Sequence, residues 1–391
     1  MRRPFRLIRT VLFTGGLLAA SLPVASAQQP ERPRPAADRG QLGELLRQRA
    51  DALKLSDSQR ADLRRLVVEY RGKLRSSAFR EAFEKLLSDE QQEAFAAVRG
   101  RGLVDSDDSV RVTRDVLYHN EEGVDPRLLS LDIYAPVDAE QLPVMLFVHG
   151  GGWRQGDKGQ AAEKGRFFSE HGYLLVSVNY RLSPTVQHPV HVEDVARAIA
   201  WVKAEIAAYG GDPQRVSLMG HSAGAHLAAL AGVDTDRLQA VGLKPADIEA
   251  VVCLDGAGYD VAWQVTELGG DVAGAMYRTA FGESEEAWND ASPVVHAKTA
   301  TDLPYYLIFH VANREASRLQ SQRLAEAVRA SGGEAAVVSA RGKTHGTINR
   351  EIGQVDDPVT GILLRVLTAL DSDEPPFTPD TLSYEAAVLT R

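Results

Sequence analysis

The sequence predicts an α/β protein with a mostly parallel sheet, helices on both faces, and a small helical segment in front. Three observations predict it. Apolar strand patterns and amphipathic helix patterns alternate from Asp105 onward. Two glycine-rich turns, His149–Trp153 and Gly220–Gly224, each follow an apolar strand. Residues 41–100 instead carry three- and four-residue apolar spacing with no strand pattern.

Taken in order, residues 1–27 read as a secretory signal peptide. Arg2, Arg3, Arg6 and Arg9 form a basic start, Val11–Leu22 is apolar, and Ala25-Ser26-Ala27 is a small-residue cleavage site. The apolar run is too short to span a bilayer, and residue 28 is Gln rather than a lipidated Cys, so no stable membrane anchor is expected. The chain is expected to be exported, to the periplasm or beyond. Removal of the leader takes four arginines and no acidic residue, moving the formal net charge from −9 to −13. An acidic surface repels phosphate backbones, which argues against a nucleic-acid partner. The single cysteine, Cys253, can form no intrachain disulfide, so stability must come from a large core.

Residues 28–40, rich in proline and charge, read as a linker. The 41–100 segment reads as a helical hairpin. In it LSDSQ (55–59) and LSDEQ (87–91) recur 32 residues apart, each with a Ser at an N-cap and a Gln three residues on. The segment resembles the LTxxQ-type hairpins of periplasmic proteins, and is expected to be a helical appendage or an arm for self-association.

The main domain is placed at 105–370, with 371–391 as a C-terminal tail. Strands are predicted at VRVTRDVLYH (110–119), LLSLDIYAP (128–136), PVMLFVH (143–149), GYLLVSVNY (172–180), RVSLMG (215–220), IEAVVCLDG (248–256), YYLIFHVA (305–312) and EAAVVSA (334–340). Helices are predicted at 191–210, 223–232 and 317–333. The interval 257–302 shows no strand pattern and is expected to cap the carboxyl end of the sheet.

Gly220-His221-Ser222-Ala223-Gly224 lies between an apolar strand and an Ala-rich helix, where a sharp turn lifts a serine hydroxyl above the sheet. His149-Gly150-Gly151-Gly152-Trp153 precedes that serine by 73 residues, and its glycines let backbone N–H groups approach a developing oxyanion. The two motifs in this order, with VNYRLSP (178–184), resemble the esterase branch of the α/β-hydrolase superfamily. That branch includes hormone-sensitive-lipase-like, feruloyl-esterase-like and arylformamidase-like proteins. The resemblance implies Ser222 as nucleophile, an oxyanion hole of the Gly151, Gly152 and Ala223 N–H groups, and a small-molecule ester as substrate. Trp153 is expected either to contact substrate or to pack over the oxyanion loop, and His221 is a candidate for substrate contact.

The family order is nucleophile, acid, histidine. Of ten histidines, only His226, His296, His310 and His345 follow Ser222. His226 falls in a helix, His310 in a strand and His296 in the expected cap. His345, in the loop RGKTHGTINREIG, is taken as general base.

The family's acid would sit after the strand YYLIFHVA, and the residue there is Asn313. An amide can accept from an imidazole but supplies no negative charge; in a serine protease that exchange lowers turnover about 10⁴-fold, about 5 kcal/mol of barrier. Three readings stay open: Asn313 impairs the site, Asn313 orients His345 adequately, or Glu315 supplies the carboxylate. Asp255 and Asp260, after an earlier strand, are read as site-wall or structural residues. Arg181 and Asp194 are expected to brace the site. No metal-ligating or nucleotide-binding motif is found, so no cofactor is expected.

The expected activity is hydrolysis of carboxylic esters through an acyl-serine. The alternatives are a non-catalytic binding protein and an arylformamidase-like amide hydrolase.

Overall fold

In a computed structural model, the structure describes residues 55–69, 82–83, 85–88, 91, 103–107, 109–268, 271–354 and 356–371. The expected signal peptide, linker and most of the helical segment lie outside the described residues, as does the tail beyond Asp371. The chain divides into two units, Met1–Ser88 and Asp89–Arg391.

In the first unit a helix spans Asp57–Glu69. Its start carries the reciprocal capping expected of S-x-x-Q: Ser56 N–H donates to Gln59 Oε1 at 2.9 Å, and Gln59 N–H donates to Ser56 Oγ at 3.3 Å. Gln59 Nε2 also donates to the Leu86 carbonyl at 2.7 Å. The second repeat is only partly described, since Asp89 and Glu90 fall outside.

The second unit has the α/β-hydrolase fold. Its nine strands are β1 (Leu103–Asp107), β2 (Val110–Leu117), β3 (Ser130–Pro136), β4 (Leu142–Val148), β5 (Leu174–Val178), β6 (Gly211–His221), β7 (Ala250–Leu254), β8 (Tyr305–Val311) and β9 (Ala335–Ala340). Their order is β1-β2-β3-β5-β4-β6-β7-β8-β9. The first three strands run antiparallel to their neighbours, and β4 to β9 are mutually parallel. The sheet starts one strand earlier than the sequence pattern indicates, because LVDSD carries no alternation that marks β1.

Period-two alternation explains how both faces are filled. Along β4, Val144, Leu146 and Val148 join one core, while Met145 and Phe147 join the other. The first core includes Val195, Leu227 and Leu324 of the helices Val190–Glu205, Ala223–Val233 and Glu315–Ala330. The second includes Phe168 and Leu363 of the helices Ala162–Glu170 and Pro358–Asp371. Neither of these last two helices is predicted from the sequence. The helix expected over 191–210 gives way after Glu205 to a 3-10 turn, Ile206–Tyr209, and Gly210 ends it at φ +92°.

The strandless interval after β7 is helical. Helix Asp271–Phe281 lies against the glycine loop: a Cβ on Gly152 would stand 2.8 Å from Met276 Sδ. The His188 amide donates to the Ala280 carbonyl at 2.8 Å, tying the same helix to the loop before Val190.

Candidate active site

β6 ends at His221, and the chain turns into the helix Ala223–Val233 through Ser222 at φ +56°, ψ −119°. A non-glycine residue holds such a φ only where its surroundings over-determine it. They do so here. A Cβ on Gly220 would stand 2.1 Å from the Gly224 carbonyl oxygen, and one on Gly224 would stand 2.1 Å from the Val148 carbonyl oxygen. The two glycines let strand and helix close to contact, and the Ser222 amide is hooked to the Leu254 carbonyl at 3.0 Å.

The glycine loop adjoins this turn. A Cβ on Gly150 would lie 3.1 Å from Ser222 Cβ, and Gly151 and Gly152 both have positive φ, +124° and +62°. The loop is held from below by the VNYR stretch. Tyr180 stacks on His149 at 4.5 Å and its hydroxyl donates to the His149 carbonyl at 3.1 Å. Arg181 makes a bidentate pair with buried Asp194, Nε to Oδ2 at 2.8 Å and Nη2 to Oδ1 at 2.7 Å. The bracing role expected of this pair follows from its position between the loop and the helix Val190–Glu205.

Of the two readings of Trp153 the structure shows the packed one, and the expectation of His221 as a substrate contact is corrected. Trp153 is 2% exposed, its ring packed edge-on against His226, Tyr277 and Phe281 at 5.3, 5.2 and 4.7 Å. Its backbone, at φ +58°, follows the two left-handed glycines. His221 is buried and its Nε2 donates to the His345 carbonyl at 2.7 Å. Burial, followed by the neighbouring His345, pushes the His221 pKa down to about 4, so the ring is neutral at ordinary pH.

His345 Nε2 lies 3.0 Å from Ser222 Oγ. Its loop is pinned by Lys343, which reaches Glu351 at 2.7 Å and Asp357 at 2.5 Å. The other histidines after Ser222 are engaged elsewhere: His226 Nε2 with the Ala291 carbonyl at 2.8 Å, His296 Nε2 with the Asp290 carbonyl at 2.7 Å, and His310 within β8.

The partner of His345 Nδ1 is Asp255, whose Oδ2 lies at 2.7 Å. This corrects the expectation of Asn313 or Glu315. Asn313 is exposed, and Glu315, 68% exposed in its side chain, pairs with Arg318. The reason lies in the register. β7 and β8 are parallel neighbours with Leu254 opposite Phe309, and the Asp255 amide donates to the Phe309 carbonyl at 2.8 Å. Both loops therefore open at the same edge, and β7 stands one strand nearer Ser222.

The Asp255 carboxylate has no exposed side-chain surface. Oδ1 accepts from the Val311 amide at 2.9 Å and the Ser317 hydroxyl at 2.7 Å, and Oδ2 also accepts from Arg314 Nη1. Burial opposes its charge. The bonds from His345 and Val311, the Arg314 cation and the Ser317 hydroxyl outweigh burial and hold the carboxyl well below its ordinary value. Asp260 is structural, as expected: it accepts from the Trp263 amide at 3.0 Å and pairs with Arg323. One signal could have pointed to Asp255, an acidic residue followed by Gly at the carboxyl end of a buried parallel strand, where such sheets bind ligands.

Sheet order, the strained serine turn and the converging Ser222, His345 and Asp255 define an α/β hydrolase. The chain belongs to the BD-FAE family, whose family model matches residues 131–328, a span that holds Ser222 and Asp255 but stops short of His345. A rice (Oryza sativa subsp. japonica) protein named probable isoprenylcysteine alpha-carbonyl methylesterase ICMEL1 is 32% identical over 300 residues, 72% of this chain and 66% of that one. A Mycobacterium tuberculosis (strain ATCC 25618 / H37Rv) protein named probable carboxylic ester hydrolase LipM is 33% identical over 228 residues, 55% of this chain and 52% of that one. The chain thus spans about half of one and two thirds of the other of these two curated relatives. Among solved structures, esterase B from Lactobacillus rhamnosis aligns with a TM-score of 0.57 at 20% identity, over 80% of this chain and 97% of that one, a likeness of fold.

Proposed function

We propose that this chain is an exported serine hydrolase that cleaves carboxylic esters, with small or aryl-acyl esters as substrates. One observation carries the reading, the unbroken chain from Ser222 Oγ through His345 to Asp255. The names of the curated relatives, methylesterase and carboxylic ester hydrolase, support the ester as substrate class. Export rests on the basic, apolar and small-residue pattern of residues 1–27.

Ser222 Oγ attacks the ester carbonyl carbon as its proton passes to His345 Nε2. Asp255 keeps Nδ1 protonated and its charge stabilises the imidazolium. The carbonyl oxygen becomes an alkoxide facing the Gly151, Gly152 and Ala223 amides; Ala223 is the first residue of its helix, whose N–H has no intrahelical acceptor. Collapse of the intermediate breaks the C–O bond, and the leaving alcohol takes the proton from His345. Water, deprotonated by the same imidazole, then releases the acid and restores Ser222.

The inactive-binder alternative rested on Asn313. With Asp255 as the anionic partner that motive is gone. A fluorophosphonate should label the purified protein on Ser222 and leave Ser222→Ala unlabelled; a folded protein that resists labelling sinks the proposal.

A further inference from the structure

Resting on the triad proposed above, we infer that Arg314 is a positioning residue that competes with His345 for Asp255 and so sets the tautomer and basicity of that imidazole. Arg314 Nη1 is hydrogen-bonded to Asp255 Oδ2, the same oxygen that faces His345, and lies 2.6 Å from His345 Nδ1. A guanidinium has no acceptor and does not lose its charge.

Two arrangements fit these atoms. In one, Nδ1 carries the proton and donates to Oδ2; two N–H donors then stand within 2.6 Å of each other, and the permanent cation opposes any further charge on the ring. In the other, Nη1–H donates to Nδ1. The imidazole proton then sits on Nε2 and points at Ser222, which is left without a base. Both act against proton uptake. His345 cannot turn to the other carboxylate oxygen, because Oδ1 is already taken by Val311 and Ser317. Arg314 is free to leave where Asp255 is not: its side chain is 37% exposed, that of Asp255 0%.

The other charged or titratable groups around the imidazole are fewer in kind. His221, from the end of β6, has its ring centre 4.6 Å from that of His345 and is neutral. His310 of β8 interacts with Asp255, and Lys164 of the helix Ala162–Glu170 acts on His221. Among the described residues, Arg314 alone brings a permanent cation into contact with the imidazole itself.

The test measures His345 directly in the full-length chain, by ¹⁵N-histidine NMR across pH, beside p-nitrophenyl acetate kinetics. In Arg314→Gln the imidazole should titrate about half a pH unit or more higher. The acidic limb of kcat/KM should move the same way, and the plateau rate should rise about threefold or more. Arg314→Lys, which keeps the charge, should leave the midpoint where the parent protein has it. An unmoved or lowered midpoint in Arg314→Gln, or slower hydrolysis with the fold intact by circular dichroism, overturns the inference. Should the parent protein neither hydrolyse the ester nor take a fluorophosphonate, the ester-hydrolase reading fails, and the NMR midpoint still decides the role of Arg314.

Discussion

Asp255 and His345, 90 residues apart in sequence, meet at 2.7 Å through Oδ2 and Nδ1, and the meeting places the site's negative charge on a strand next to the one where the family pattern puts it. Asp255→Asn should therefore lower kcat by about 10³–10⁴-fold, since the amide removes the charge that stabilises the imidazolium. Asn313→Ala should stay within about threefold of the parent, because an exposed residue away from the reacting atoms has little to lose. Steady-state hydrolysis of p-nitrophenyl acetate by the two variants decides it. The reverse ranking would return the acid role to the β8 loop.

Gly224→Ala should disable the serine turn through sterics alone. The new methyl would sit 2.1 Å from the Val148 carbonyl oxygen and 2.6 Å from that of His149, both backbone atoms with nowhere to go. Overpacking of this kind costs about 1–3 kcal/mol or more, so a lower melting temperature and loss of fluorophosphonate labelling are expected. Gly361, with nothing within 4 Å of an added Cβ, is the control. Alanine there, in the helix Pro358–Asp371, should be neutral or stabilising by about 0.5–1 kcal/mol.

Acid should unfold the protein along a defined window. Burial is the first cause that depresses the pKa of His221 to about 4, and of His191 and His226 to about 3, from an ordinary 6.5. A histidine held neutral in the fold takes up its proton more readily once unfolded. Its contribution is therefore present above pH 6.5 and is lost as pH falls toward the folded values. Each such proton steepens the dependence by about 1.4 kcal/mol per pH unit. Urea midpoints measured from pH 7 to pH 4 should fall, and His226→Gln should flatten the slope by about one proton. A slope unchanged by that variant would mean that His226 titrates normally.

Arg181→Lys should be costly although charge is conserved. The guanidinium fork satisfies both oxygens of a carboxylate with no exposed surface, which an ammonium cannot do. Asp194 keeps the Arg197 guanidinium at 2.9 Å and the Arg181 amide at 3.1 Å, so the lost fork is expected to cost about 1–3 kcal/mol. Chemical denaturation gives the number, and a loss below about 0.5 kcal/mol, the range of ordinary surface changes, would refute the bracing role of the pair.

Much of the fold is legible in the sequence because parallel strands buried on both faces must be continuously apolar. PVMLFVH and YYLIFHVA could hardly be anything else, and both fall within a residue of β4 and β8. The serine turn is legible for a related reason: Gly220 and Gly224 leave no room for a Cβ, so the steric demand is written in the residues themselves. β1 escapes because LVDSD has no alternation, and the helix Pro358–Asp371 because it docks on a face whose partners come from the whole sheet. The choice between the two readings of Trp153 escapes for the same reason, its ring being enclosed by residues from two separate helices.

By itself the sequence determined the layered architecture and singled out Ser222 and His345 as the pair proposed to do the chemistry, since each is marked by neighbours along the chain: apolar runs, glycines about Ser222, a loop about His345. Which carboxylate answers that base was decided only by tertiary structure. Asp255, Asn313, Arg314 and Glu315 all lie where the chain leaves β7 or β8, at one edge of the sheet. Their distances to a ring from a third loop depend on strand order and register, which long-range pairing sets and no local pattern records.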